Sequence, residues 1–162
     1  MTAPQYKPLR RAYGFDEVAL VPGDITVNPD QTDIELKIDQ LILSVPIMAA
    51  AMDAVTDVNF ATLMSQAGGL AVLNLEGVQT RYENPQEMLA EITRTPGSEV
   101  TARLQKIYAE PIKENLIGDR IQVIKRAGAV CAVSAAPANA KRFAPIAAEA
   151  KADIYFVQST VT

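Results

Sequence analysis

The sequence predicts an α/β protein with a parallel sheet, the first half of a (β/α)8 TIM barrel. Three observations lead there. Short apolar runs alternate with longer segments of helical periodicity from Val45 onward. The run at 45–51 is apolar at successive positions, as in a parallel strand covered by helices. A fourth strand is then followed by Gln158-Ser159-Thr160-Val161-Thr162, without a helix to cover it. Strand–helix alternation of this kind implies parallel pairing through crossovers. A barrel of this type takes eight strands and about 250 residues. The remaining half is therefore expected from a longer chain or from a second chain. A small, complete open α/β sheet is the competing architecture.

The elements follow in order. Residues 1–44 read as an N-terminal arm with capping strands, and 45–162 as the first four βα units. The first 15 residues are polar with two prolines and suit an extended arm. Glu17–Val21 reads as a short strand and Pro22-Gly23-Asp24 as a turn. Asp33–Ile38 alternates polar and apolar with period two, and Leu41–Leu43 follows, so a hairpin-like cap is expected. Val45–Ala51 is the first barrel strand. Thr56 or Asp57 can cap a helix running to about Ala67, with Phe60, Leu63, Met64 and Ala67 at helical spacing. Gly68-Gly69 ends it, and Leu70–Leu73 is the second strand.

Asn84-Pro85 opens the next helix, with Met88, Leu89 and Ile92 on its apolar face. A loop around Pro96-Gly97 leads to helical segments near 100–108 and 112–127. Leu116, Ile117, Ile121 and Ile124 mark the buried stripe of the second. Ala129–Val133 is the third strand, Pro137–Lys151 an alanine-rich helix, and Asp153–Val157 the fourth strand.

Composition narrows the function. The chain has 162 residues, 49% hydrophobic and 21% charged, with a net charge of −4. That balance suits a soluble globular domain and argues against a nucleic-acid surface, which needs a cationic patch. No apolar run approaches the roughly 18–20 residues of a membrane span, and the first residues hold no signal-peptide core. One cysteine, Cys131, cannot form an internal disulfide, which fits a cytoplasmic chain. There is no histidine. The commonest general base and zinc ligand are thus missing, and no metal site is expected.

The stretch PIMAAAMDAVTD, residues 46–57, holds the most informative pattern. An apolar run shrinks to three alanines just before a carboxylate. A core strand normally keeps its bulk, because each lost methylene weakens packing. Small side chains there leave room for a ligand against the strand end. In parallel α/β folds ligands bind beyond the carboxyl ends of the strands. Four segments lie there: 49–53, 74–77, 134–137 and 158–160. Three of them carry small, amide or hydroxyl side chains, which hydrogen-bond a polar ligand without adding charge.

Residues 13–23, YGFDEVALVPG, and 45–56, VPIMAAAMDAVT, followed by QAGGL at 66–70, resemble the IMP dehydrogenase and GMP reductase family. The pattern is a proline, a small-residue run, Met-Asp, Val-Thr, and Gly-Gly closing the first helix. The match is close over residues 13 to 75 and holds in outline beyond.

The resemblance implies a (β/α)8 barrel, a purine nucleotide monophosphate (GMP or IMP), and a nicotinamide cofactor. It implies a homo-oligomer, a tetramer or octamer. It places the family's catalytic cysteine loop beyond residue 162, so no catalytic residue is expected in this chain, and it places any monovalent cation site in the second half. Cys131, inside a strand, is expected in the core.

Ala50 and Met52 fall where the family contacts the nucleotide. Met52 is a neighbour of the base or an ordinary core methionine. Asp53 is expected to fix the turn or the helix start. Asn74 stands where many members carry histidine near the cofactor. Gln158, Ser159 and Thr160 stand where dehydrogenases usually show Asp-Ser-Ser on the cofactor side. An acid beside a ribose disfavours a 2′-phosphate, and the amide of Gln158 does not. Dehydrogenases of the family commonly insert a pair of CBS motifs after the second helix, and the segment 93–119 is too short for them. Together these favour NADPH-dependent conversion of GMP to IMP and ammonia, with NAD-dependent oxidation of IMP to XMP as the alternative. A non-catalytic nucleotide-binding barrel that regulates a partner is a third class. Arg10-Arg11 reads as part of a solvated arm, and Lys125-Arg126 as cations favoured at a helix end.

Overall fold

The structure, a computed structural model, describes residues 10–159. The chain divides into two compact units, one up to Asp33 and one from Ile34.

The first unit has little regular structure. Gly14 and Glu17 close a turn: the Glu17 N–H donates to Gly14 O at 3.0 Å, and the Gly14 N–H donates to Glu17 Oε2 at 2.8 Å. The strand expected at Glu17–Val21 is not formed. Leu20 and Val21 are exposed, and among the described residues no strand pairs with them. An unpaired strand gains neither a ladder nor a buried face, so apolar content alone does not hold it. The chain bends at Asp24-Ile25, just past Pro22-Gly23, and makes one 3-10 turn at Pro29–Gln31.

The second unit opens with the expected hairpin. Strands β1 (Leu36–Ile38) and β2 (Leu41–Leu43) pair antiparallel, with Leu36 opposite Leu43 and Ile38 opposite Leu41. Asp39 turns the corner at φ 52°, a left-handed conformation that Asp tolerates better than most residues.

Four parallel strands follow: β3 (Met48–Ala49), β4 (Leu70–Asn74), β5 (Ala132–Ala135) and β6 (Ile154–Val157). They lie side by side in chain order. Helix α1 (Val58–Gln66) links β3 to β4. Helices α2 (Pro85–Arg94), α3 (Val100–Ala109) and α4 (Glu114–Arg126) lie between β4 and β5. Helix α5 (Pro137–Glu149) links β5 to β6. The order of the strands, with helices on one face, is that of half a (β/α)8 barrel.

The alternation of each strand separates two cores. Ala71, Leu73, Leu75, Cys131, Val133 and Ala135 face α1, α4 and α5. Their helix partners include Ile117, Ile121 and Ile124 of the expected stripe, and Leu116, its fourth member, is likewise buried. Each such side chain contributes roughly 1.5–3 kcal/mol by leaving water. The other face carries Leu70, Val72 and Ala132, with Ile154 and Phe156 beside them. Leu43 of the hairpin packs onto this inner face. The hairpin tip approaches Val130 and Asp153, so it covers the amino ends of the strands and leaves the carboxyl ends open.

Strand β1 is shorter than the 33–38 expected, β4 and β6 each differ by one residue at one end, and two boundaries differ more from the sequence reading. The strand expected over 45–51 is reduced to Met48–Ala49, paired with Leu70–Ala71. Its flanks make other bonds: Val45 N–H to Gly68 O at 3.0 Å, and Met52 N–H to Ala50 O at 2.8 Å. Nor is it covered on both faces, because Ile47 and Met48 are more than half exposed. The strand expected at 129–133 instead runs from Ala132 to Ala135. The Val130 N–H donates to Ser65 Oγ and the Cys131 N–H to Asp153 Oδ2, at 2.9 and 2.8 Å. Side chains thus take the donors that a sheet ladder would have used.

Helix α1 starts as expected, and Asp57 is its cap. The Asp57 side chain accepts the Phe60 N–H at 2.7 Å. Gly68, at φ +87°, ends the helix in a conformation that a side chain would oppose.

Candidate functional site

The carboxyl ends of β3 and β6, with the middle of β4 between them, frame a cleft of about 400 Å³ on the inner face. Met48 and Ala49–Ala51 line one side, Val72 the middle, and Phe156–Ser159 the other side. A cleft of this volume lies in the range that takes small organic ligands. Its lining carries no charged side chain. Polar character comes from the Gln158 carboxamide and the Ser159 hydroxyl, and apolar flat surface from Phe156. The alanine run is what leaves the space open beside β3.

The structure brings Ala50, Gln158 and Ser159 to this cleft. Gln158 is held by its backbone, which continues the β6 ladder by donating to Ala135 O at 3.0 Å. Met52 sits on the turn just past the lining, 55% exposed, so it is not packed as a core methionine in this chain. Asn74 ends β4 opposite Ser134 and is outside the cleft lining. Its Oδ1 accepts the Glu76 N–H at 2.9 Å, which shapes the loop after β4. Thr160 lies outside the described residues.

The turn that carries Met52 is tightly tied. The N–H groups of Val55 and Thr56 both donate to Met52 O, at 2.9 and 2.8 Å. The Thr56 hydroxyl, fully buried, donates back to Ala50 O at 3.0 Å. Asp53 is 9% exposed, and its Oδ2 accepts the Val78 N–H at 2.9 Å and the Tyr108 hydroxyl at 2.5 Å. It braces the turn against a distant segment, whereas the helix start belongs to Asp57. Burial, followed by the Asp53 hydrogen bond and charge, holds the Tyr108 phenol well above its ordinary range. Tyr108 therefore stays a donor to the carboxylate.

Glu76 is a further residue that pattern reading did not single out. Its carboxylate accepts the Ala136 N–H at 2.5 Å and the Asn139 side-chain N–H. It joins the end of β4 to the start of α5, where a negative charge favours the helix dipole. A carboxylate two residues past a strand end was the available signal. Tyr108 had none, since its partner is 55 residues away in the chain. Cys131 is fully buried, and burial, reinforced by Asp153, pushes its thiol up to about 12. A thiol held neutral in this way is a poor nucleophile.

The family model described as the IMP dehydrogenase / GMP reductase domain matches residues 12–161. The chain belongs to the IMP dehydrogenase and GMP reductase family. Among relatives, an uncharacterized oxidoreductase of Mycolicibacterium smegmatis is 29% identical over 157 residues, covering 94% of this chain and 42% of the relative. An inosine-5′-monophosphate dehydrogenase of Streptococcus pyogenes is 42% identical over 69 residues, 42% of this chain and 14% of that enzyme. Among solved structures, an IMP dehydrogenase/GMP reductase-like protein of Corynebacterium glutamicum superposes with a TM-score of 0.85 at 29% identity. That match covers 95% of this chain and 43% of the other. The chain thus spans less than half the length of each of these relatives. No helix of the described residues is long and apolar enough to cross a membrane.

Proposed function

We propose that the protein is a purine nucleotide oxidoreductase, and that its reaction is the NADPH-dependent reductive deamination of GMP to IMP and ammonia. The observation that carries this reading is the uncharged cleft at the carboxyl ends of β3 and β6, in a chain of this family. A purine base is flat and has donors and acceptors around its edge. Ala50 and its neighbours leave room for such a ring, and Met52 supplies a thioether that packs on aromatic faces.

The nicotinamide cofactor fits the β6 side. Phe156 offers a flat apolar surface, and Gln158 and Ser159 offer hydrogen bonds without charge. NADPH, when bound, supplies the hydride. Asn74 is proposed to act on the cofactor side indirectly, by holding the loop after β4, and Thr160 is a proposed cofactor contact from its place in the sequence. The amide of Gln158 raises no repulsion against a 2′-phosphate, which supports NADPH over NAD. The connection between α2 and α4 holds a single ten-residue helix, which supports the compact reductase plan. In this reading the catalytic thiolate and the phosphate-binding loops come from the remaining four βα units, in a longer chain or a second chain. The complete protein is a cytoplasmic homo-oligomer, a tetramer or octamer.

NAD-dependent oxidation of IMP to XMP is the second reading. The 42% identity to the streptococcal enzyme over 69 residues favours it. Both readings place the nucleotide against Ala50. In the full-length protein, Ala50→Leu is expected to weaken GMP and IMP binding about tenfold or more, because a branched side chain would occupy the ring's space. Calorimetric titration reads the affinity, and an unchanged affinity would contradict the site.

A further inference from the structure

Asp53 is an expensive residue to place where it is. Its carboxylate is buried, yet only Oδ2 has partners among the described residues, and Oδ1 has none. Burying half-satisfied charge opposes folding. Stability alone does not account for it. The residue follows the Ala50–Met52 turn, two positions after Ala51, where the cleft lining on this side ends.

Its two partners come from one assembly. The Val78 N–H belongs to a 3-10 turn, Val78–Thr80, in the loop after β4. The Tyr108 hydroxyl belongs to the last turn of α3. That end of α3 is tied to the same loop: the Tyr82 hydroxyl donates to Ile107 O at 2.9 Å, and the Arg81 guanidinium donates to Glu110 O. Arg81 also lies 5.9 Å from the Tyr108 ring centre. The Lys113 N–H donates to Thr80 O at 2.8 Å. Residues 107–113 and 76–82 therefore form one braced unit, and Asp53 is the contact through which that unit meets the Met52 turn.

We propose that Asp53 and Tyr108 are positioning residues: through their hydrogen bond, α3 and the loop after β4 hold the Met52–Thr56 turn, and with it Ala50 and Met52, in the geometry that receives the nucleotide. This rests on the nucleotide reading for its function, but its physical content is independent of that reading. The Tyr108 hydroxyl donates to Asp53, which is not itself a lining residue, so Tyr108 acts on the cleft through Asp53. The device uses α3, the only helix between α2 and α4. A change in the seating of α3 would thereby be felt at the site.

The test uses the full-length protein with Tyr108→Phe, which removes one hydroxyl and keeps the ring, and Lys106→Ala as a control on an exposed position of α3. Two readouts are taken. Hydrogen exchange of the Val55 and Thr56 amides is expected to speed up about tenfold in Tyr108→Phe, from loss of one charge-assisted bond. The β5 amides and the Lys106→Ala protein are expected to keep their rates. GMP affinity is expected to fall about tenfold in Tyr108→Phe and to hold in Lys106→Ala. Unchanged exchange in the turn overturns the proposal. Faster exchange with unchanged affinity, where the wild type binds GMP, overturns it too, since the contact would then be structural only. If the wild type binds neither GMP nor IMP, the nucleotide reading fails, and the exchange result alone decides whether the brace exists.

Discussion

Gly77 and the Asp53 carboxylate share one small space. A Cβ on Gly77 would lie 1.8 Å from Asp53 Oδ1, far inside contact distance. The absent side chain is what lets the Val78 N–H reach Oδ2. Gly77→Ala is expected to destabilise the protein by about 3 kcal/mol, from overpacking and from the strained or broken charge-assisted bonds. Urea unfolding checks it, and a loss below the few tenths of a kcal/mol typical of surface changes would mean that Asp53 moves aside freely. At this scale the sequence was partly readable. The shrinking of PIMAAAMD to methyl groups pointed to the cleft, and Ala50 lines it. For Asp53 the sequence points only to a local role at the turn or helix start, because a contact 55 residues away leaves no mark in a periodic pattern. Asn74 shows the converse. By resemblance it stands near the cofactor, and in the structure its Oδ1 accepts the Glu76 N–H in the loop after its own strand.

Helices were more readable than strands, for a physical reason. A helix makes its backbone bonds within itself, so caps and apolar spacing suffice to mark it. Asp57, Pro85, Pro137 and the stripe from Leu116 to Ile124 all sit where spacing put them. A strand needs partners, and competing acceptors move its ends. Ser65 and Asp153 take the N–H groups of Val130 and Cys131, and β5 starts later than its apolar run. Glu17–Val21 has strand-like residues but no ladder. Asp57 offers a test on an element. Asp57→Ala removes the only side-chain cap of α1, whose helix holds the β3–β4 crossover, and is expected to cost about 1 kcal/mol. Asp57→Asn should recover most of that. Equal losses in both variants would assign the effect to charge, or to the Gln86 contact with Oδ2, rather than to the cap.

At the scale of the molecule, two faces of one sheet do different work. The outer face and the helices hold the fold through an apolar core. On the inner face the hairpin covers the amino ends, and the carboxyl ends keep a cleft with amide and hydroxyl groups. Separating a stabilising end from a ligand end is the general plan of α/β barrels. It explains why the residues at 49–51 are small: they line the open ligand end rather than the core. The barrel class followed from element order alone, whereas the choice of reaction rests on a few side chains, Gln158 foremost. The most direct measurement follows nicotinamide absorbance with the full-length protein, giving NADPH with GMP and, in parallel, NAD with IMP. GMP-dependent NADPH oxidation that releases IMP and ammonia is the predicted result. NADH formation from IMP would contradict it and make the protein a dehydrogenase, and silence in both, with nucleotide binding intact, would make it a regulatory barrel.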